Sequence, residues 1–272
     1  MYVHRSNRTE TLVGELAALV ARPATDAFGR ECIVVQCKGM ERWLSMELAR
    51  RLGVWANPDF PFPRKLIERA LTAVGGPEVP GSACFAPETL MWAIADVLPQ
   101  FVERPEFAPI RGYLAGDERA LRRIQLAARI ADTFDQYVVY RPEMVLTWER
   151  GDGTDWQAVL WQELVKRHGS THIAARARAV LAAVDADKPG LDDFPSRVSI
   201  FGVSTLPPLY LNVLVALSPW IELHLFILSP SREYWADIRS RREVLRALAK
   251  RPAAPLDAEA ALHLEEGNPL LA

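Results

Sequence analysis

Three polar side chains follow the apolar run Cys32–Val35, whose continuous hydrophobic pattern is typical of a strand covered on both faces. They are Gln36, Lys38 and Arg42. Parallel sheets bind their ligands at the carboxyl ends of the strands, where such side chains converge. Lys38 and Arg42 can neutralise phosphates, and Gln36 can hydrogen-bond a base edge. The pattern indicates a nucleic-acid contact, although an ordinary helix start explains it equally well.

The proline-rich segment Asn57–Pro63 carries two phenylalanines, Phe60 and Phe62. Its three prolines exclude a helix or a central strand, because each removes an amide donor and fixes φ. If the rings are exposed, unpaired bases could stack on them. The alternative is that the rings pin the loop onto the core, and the sequence leaves both open.

The clearest helical pattern runs from Asp117 to Tyr140. At about 100° per residue, one side carries the apolar Ile124, Ala127, Ala131, Phe134 and Val138, and the opposite side carries Gln125, Arg129, Asp132 and Gln136. Asp132 and Asp135 lie one turn apart, but no histidine or third acid stands at ligand spacing for a metal or catalytic site. We expect these carboxylates to bind exocyclic base amines or to pair with Arg129 and Arg141.

The sequence lacks the common signatures of catalysis. The junction His4–Thr9 stands where a nucleoside triphosphatase carries its phosphate loop, G-x-x-x-x-G-K-[ST], yet it has neither glycine nor lysine. Arg5 and Arg8 in this junction are predicted to be solvated surface residues rather than phosphate ligands. No segment fits G-x-S-x-G, H-E-x-x-H or G-x-G-x-x-G. We therefore predict no catalytic residue, no metal and no cofactor.

Composition places the 272 residues among globular proteins, because half are hydrophobic and 24% are charged. With 32 Lys and Arg against 34 Asp and Glu, the overall charge does not mark a nucleic-acid binder, although residues 1–75 carry a local excess of three positive charges. The spacing of the three cysteines predicts buried thiols without a disulfide or zinc site. We expect a soluble cytoplasmic protein without membrane contact, since neither a signal peptide nor a membrane-spanning run is found.

Strands and helices alternate at both ends of the chain. Strands are predicted at Tyr2–His4, Cys32–Val35, Arg197–Val203 and Ile221–Ile227. A first helix is predicted after Asn7, which would cap it with Glu10 as the reciprocal acid. Further helices are predicted to begin at Gly39 and at Pro87 and to span 117–140, 156–168, 173–186 and 209–216. No strand is predicted between 80 and 189. This order predicts an α/β fold whose single parallel sheet is interrupted by a helical insertion.

Uncommon strings run in order along nearly the whole chain. They include Y-V-H-R-S-N-R from residue 2, V-V-Q-C-K-G-M-E-R-W-L from 34, A-N-P-D-F-P-F-P from 56, A-D-T-F-D-Q-Y-V-V-Y-R-P from 131, P-S-R-V-S-I-F-G-V-S-T-L-P-P-L-Y-L from 195 and G-N-P-L-L-A from 267. By these strings the chain resembles the RecC family, the gamma subunits of exodeoxyribonuclease V. Members of that family are far longer, so the resemblance implies an amino-terminal fragment.

The resemblance implies a superfamily 1 helicase-like domain with a degenerate ATP site and a large all-helical insertion. The two parts of the helicase-like domain would be residues 1–83 and 191–250, the insertion 84–190, and a weakly structured end 251–272. The implied function is that of a non-catalytic DNA-binding subunit of the RecBCD helicase and nuclease, with RecB-like and RecD-like partners. The absence of a phosphate loop in the sequence agrees with this expectation.

The resemblance further implies that this region guides the 3′-ended single strand and recognises the Chi sequence. Positions that match the family pattern are Gln36, Asp132, Asp135, Gln136 and Arg141, and neighbouring positions that depart from it are Lys38, Arg42, Phe62, Glu68 and Thr133. All of these except Glu68 form the predicted DNA-binding set. Lys38 and Arg42 add affinity for phosphate or guanine, so the resemblance does not specify which Chi-like DNA sequence this chain recognises. A docking scaffold for partner subunits and an active helicase or nuclease domain remain alternatives.

Overall fold

The computed structural model describes residues 1–22, 29–76, 82–116, 121–186 and 190–229. In these ranges the strands are β1 (Tyr2–Ser6), β2 (Glu31–Val34), β3 (Pro58–Asp59), β4 (Arg197–Phe201) and β5 (Glu222–Leu228). The helices are α1 (Thr9–Val20), α2 (Lys38–Leu52), α3 (Pro63–Gly75), α4 (Pro87–Phe101), α5 (Ala108–Leu114), α6 (Leu121–Tyr140), α7 (Pro142–Glu149), α8 (Trp156–His168), α9 (Ile173–Ala186) and α10 (Pro208–Leu217). The expectations for residues 230–250 and 251–272 lie outside the described ranges.

All five strands form one parallel sheet in the order β1-β5-β4-β2-β3. β1 pairs with β5 so that Tyr2 lies opposite His224, which brings the first and last described strands side by side. The predicted α/β fold with a single parallel sheet is confirmed, and the strand bounds differ from the prediction by one or two residues. The short β3 was not predicted, and it lies at the edge of the sheet, where proline is tolerated.

Helices cover both faces of the sheet. On one face, α1 and α2 bury Leu12 and Leu44 against the strands. On the other face, α3, α4 and α6 to α10 share a larger hydrophobic core with the sheet. Ile33 belongs to the first core, while its neighbours Cys32 and Val34 belong to the second, because side chains alternate between the faces of a strand. The strand predicted to be covered on both faces is confirmed.

The long amphipathic helix is confirmed over Leu121–Tyr140, although Ile124 of its predicted apolar side is only half-buried, and the predicted start at 117–120 lies outside the described residues. In α6 the side chains of Ala127, Ala131, Phe134 and Val138 are buried, and those of Gln125, Arg129, Asp132 and Gln136 are exposed. α8 and α9 have the predicted bounds, and α10 begins and ends within one residue of its prediction. The helices with a strong hydrophobic periodicity in the sequence were therefore predicted correctly.

Three helices were missed, and each has a proline at its first or second position. α3 begins at Pro63 and α7 begins at Pro142, while α5 has Pro109 as its second residue. A proline in the first turn costs no hydrogen bond, because the first amide groups of a helix have no intrahelical acceptor. These prolines therefore mark the starts of helices.

The predicted capping pair at the first helix is wrong. β1 extends to Ser6, and α1 begins at Thr9 with Arg8 in the capping position and no side-chain cap. Asn7 therefore stands one position too early to cap the helix with Glu10. The Arg8 amide instead donates a hydrogen bond to Ser6 Oγ at 3.1 Å, which closes the turn between β1 and α1.

The cysteine prediction holds only in part. All three thiols are free, as predicted. Cys32 is buried, but Cys37 is exposed at the start of α2 and Cys84 is half-buried. The expectation of three buried thiols is therefore correct for Cys32 alone.

The helical block and the sheet belong to one compact unit, residues 1–228. Residues of α4, α6 and α8 lie in the same hydrophobic core as β2, β4 and β5. The boundaries at 83/84 and 190/191 stay a prediction. Among the described helices, none is long and apolar enough to cross a membrane.

Candidate nucleic-acid interface

The first group of predicted DNA-binding residues lies at the carboxyl end of β2. Gln36 and Lys38 are exposed in the turn into α2, and Arg42 follows Lys38 by one helical turn. The Lys38 ammonium forms an ion pair with Glu41 at 2.7 Å, and 75% of the Lys38 side chain is exposed. In such an exposed pair the lysine remains available to a stronger anion, because screening leaves little interaction energy.

The aromatic loop packs against this strand end. The Val35 amide donates a hydrogen bond to the Pro61 carbonyl at 3.3 Å, which holds the loop beside the exit of β2. Phe60 is half-buried and packs on the core beneath α1 and α2. The Phe62 ring is 41% exposed, and the Lys38 ammonium lies 5.7 Å from its centre. Each of the two alternatives for this loop therefore holds for one ring, because Phe60 packs on the core and Phe62 is exposed to solvent.

Arg64, in the first turn of α3, connects the aromatic loop to α6. Its Nη1 donates hydrogen bonds to both carboxylate oxygens of Asp135, at 2.7 and 2.8 Å. Its Nε donates to Glu68 at 3.2 Å. Burial opposes the charge of Arg64, but the hydrogen bond and the charge of Asp135 prevail, so the pKa of Arg64 is raised. The expected pairing of Asp135 with Arg129 or Arg141 is wrong, because Arg64 takes both carboxylate oxygens.

The phenol of Tyr210, on α10, lies in the same cluster. Burial raises the pKa of Tyr210 to about 12; the Arg64 charge opposes this shift, and Asp135 and Glu68 add to it. The ion pair thus joins α3 to α6 in a partly exposed position, with the Tyr210 phenol of α10 within electrostatic range. Asp135 serves here as a structural ion-pair partner of Arg64, unlike the solvent-facing polar residues of α6.

The remaining predicted residues of α6 divide by exposure. Asp132 and Gln136 are exposed, and within the described ranges neither side chain has a hydrogen-bond partner. Thr133 is half-buried, and its hydroxyl donates to the Arg129 carbonyl at 2.8 Å. Arg141 is exposed just beyond α6, and its amide donates to the Tyr137 carbonyl at 2.8 Å.

The structure therefore brings part of the predicted set together. Lys38 and Phe62 are in contact, and Arg64, two residues after Phe62, is bonded to Asp135 on α6. Sequence reasoning missed Arg64, although its place after Pro63 in a first helical turn was a usable signal. The same reasoning could not find its partner, which is 71 residues away in the chain. Among the described residues no group of three or more His, Cys, Asp or Glu side chains is arranged to hold a metal ion.

Comparisons with known proteins bear on the whole chain. The family model for the RecC amino-terminal domain matches residues 1–272. The RecBCD enzyme subunit RecC of Escherichia coli is 37% identical over 264 residues, which cover 91% of this chain and 23% of that subunit. The RecC subunits of Haemophilus influenzae and Mycolicibacterium smegmatis are 35% and 33% identical and match 88% and 100% of this chain. The chain spans about a quarter of the length of these relatives.

Proposed function

This chain belongs to the RecC family, and on that premise we propose that it is a non-catalytic DNA-binding part of a RecBCD-type helicase and nuclease. Its role is to guide the 3′-ended single strand and to recognise a Chi-like sequence. Such a complex acts in the repair of double-strand breaks by recombination. Its partners in this role are RecB-like and RecD-like subunits, and its location is the cytoplasm.

One observation carries the proposal. The hydrogen bond from the Val35 amide to the Pro61 carbonyl holds the end of β2 beside the loop that carries Phe62, and the Arg64–Asp135 ion pair links that loop to α6. This surface offers each kind of group that single-strand binding uses. Lys38 and Arg42 supply positive charge, Phe62 supplies a ring, and the exposed polar groups of α6 supply hydrogen bonds. A rigid scaffold positions them, since all are attached to elements that pack in the two cores.

Phosphate contacts supply affinity in this mechanism, and polar side chains supply sequence preference. Gln36, Asp132 and Gln136 have side-chain atoms that face solvent and can meet the edges of unstacked bases. Asp135 acts indirectly, because its two oxygens are engaged by Arg64. The DNA-binding role of Thr133 is weaker than that of its neighbours, because its hydroxyl is bonded to the helix backbone.

We also propose that the scaffold is a helicase-like domain that no longer hydrolyses ATP. The Ser6–Thr9 turn, where a phosphate loop would stand, has no glycine and is closed by the bond between the Arg8 amide and Ser6 Oγ. In this proposal residues 84–190 are the helical insertion of that domain. A fold shaped to guide a strand can lose hydrolysis when a partner subunit supplies the motor.

The test is binding of single-stranded oligonucleotides to the purified chain across a salt series. We expect affinity to fall steeply with salt, and Asp132→Asn with Gln136→Ala to reduce discrimination between sequences more than total affinity. The matched control is Glu88→Gln, an exposed polar position in the first turn of α4 and off α6. Equal loss for all sequences would count against base recognition. Hydrolysis of ATP by the chain would contradict the non-catalytic role.

A second candidate function, docking of partner subunits, is favoured by the outer edge of the sheet. β1 is an edge strand, and Met1, Tyr2 and Val3 expose about half of their surface. Exposed apolar edge strands are ready sites for pairing with another chain. Failure of the chain to bind any single strand at low salt would favour docking over DNA guidance.

A further inference from the structure

One stripe of side chains runs along the outer surface of α6 from end to end. Its members are Arg122, Gln125, Arg129, Asp132, Gln136 and Tyr140, and all of them are exposed. At about 100° per residue they fall within about 80° of the helix circumference. At a rise of about 1.5 Å per residue the stripe is about 27 Å long, which matches about eight stacked nucleotides spaced about 3.4 Å apart.

The charges of this stripe are not paired with one another. Arg129 and Asp132 stand at i and i+3, a spacing that permits an ion pair, yet in the described part of the chain neither binds an oppositely charged side chain. α8 behaves differently, because Arg167 pairs with Glu163 one turn away at 2.7 Å. A helix face that serves only solubility gains from such pairs. The α6 stripe therefore leaves Arg129 and Asp132 available to a ligand, while Arg122 donates one hydrogen bond to the Ala115 carbonyl at 3.1 Å and has further N–H donors.

The stripe ends on an exposed aromatic ring. Tyr140 is 56% exposed and stacks on no ring of the described residues, whereas Tyr137 packs against Phe134 and Trp148 with ring centres 6.3 and 5.9 Å away. Burial raises the pKa of Tyr210 to about 12, and Tyr140 is one of the groups that raise it further. Tyr140 therefore lies within electrostatic range of the cluster that joins α6 to the aromatic loop.

We propose that Tyr140 is a stacking platform for one unpaired base, and that Arg129 and Arg122 hold phosphates of the same single strand. The strand then lies lengthwise along α6, with phosphates bound by the two arginines near the amino end and bases that meet Asp132, Gln136 and Tyr140 farther along the same stripe. This inference rests on the proposed DNA-binding function and adds that the strand runs parallel to the axis of α6. The ring contributes affinity without sequence preference, because every base has a face that can stack.

The stacking test uses the full chain and single-stranded oligonucleotides that carry the fluorescent base 2-aminopurine at one position at a time. Wild-type chain should quench the fluorescence most strongly at one or two adjacent positions. Tyr140→Ala should abolish that quenching and weaken binding on the order of tenfold, whereas Tyr140→Phe keeps the ring and should stay within about twofold of wild type. Tyr113→Ala is the matched control, since Tyr113 on α5 is 48% exposed but lies off the stripe.

The phosphate test measures how affinity depends on salt. Arg129→Ala and Arg122→Ala should each reduce the slope of log affinity against log salt by about 0.7. Arg150→Ala, at an exposed arginine just beyond α7, should leave the slope unchanged. If wild-type chain binds DNA but Tyr140→Ala quenches like wild type and both stripe arginine variants keep its slope, the inference is overturned while the DNA-binding function stands. If wild-type chain binds no single strand at low salt, the proposed function itself fails.

Discussion

Breaking the Arg64–Asp135 ion pair should destabilise the chain by a measurable, non-additive amount. The two side chains are 37% and 21% exposed. Removing one partner costs about 3–5 kcal/mol for a fully buried pair, and an exposed pair contributes only about 0.2–1 kcal/mol. Arg64 is more than a third exposed and keeps Glu68 as a second partner, so solvent screening reduces the cost. We expect Asp135→Ala to lower the free energy of unfolding by about 1–2 kcal/mol.

Thermal unfolding followed by circular dichroism measures this loss. For a chain of this size about 1 kcal/mol corresponds to a shift in Tm of about 2–4 °C, so we expect Tm to fall by about 2–8 °C. A double-mutant cycle with Arg64→Met and Asp135→Leu should give a coupling free energy of about 1 kcal/mol. The control cycle, Lys38→Met with Glu41→Leu, breaks a more exposed i, i+3 pair and should give about 0.3 kcal/mol. Losses for Arg64 and Asp135 that simply add would show that the two side chains are not coupled in the folded state.

Two further predictions concern acid stability and the aromatic loop. Burial would raise the pKa of Glu149, but hydrogen bonds that include one from His172 lower it. The ionised carboxylate therefore stabilises the fold above pH 4.5, and this contribution is lost as the pH falls through the lowered pKa. Glu149→Gln should reduce Tm at pH 7 and flatten the decline of Tm in acid. Phe60→Ala should cost about 2 kcal/mol of stability because that ring packs on the core, whereas Phe62→Ala should change stability by less than about 0.5 kcal/mol and weaken single-strand binding. Equal effects of the two substitutions on Tm and on binding would contradict the division of the loop.

The sequence predicts the sheet and the longest helices because their signals are local. The run Cys32–Val35 is apolar on both faces, and α6 repeats its apolar residues at helical spacing over 20 residues. Such patterns reflect burial directly, so the element and its inward face follow together. The prolines at the starts of α3 and α7 give a weaker signal, because the same residue type both breaks a helix and begins one.

The candidate interface is only partly predictable for a different reason. Phe60 and Phe62 stand two residues apart in one proline-rich loop, and only tertiary packing decides that the first is pinned and the second exposed. The Arg64–Asp135 pair joins residues that are 71 positions apart. No local pattern encodes a contact of that separation, and it is this pair that connects the loop to α6.

In the proposed function, the end of β2, the aromatic loop and the outer face of α6 form one nucleic-acid interface. Photo-crosslinking of the chain to single-stranded DNA carrying 5-iodouracil, followed by mass spectrometry of the linked peptides, tests it most directly. We expect crosslinks at Phe62 and Tyr140, with further crosslinked peptides from residues 36–42. Crosslinks confined to the β1 edge or to the outer surface of α8, with none on α6 or the aromatic loop, would contradict it.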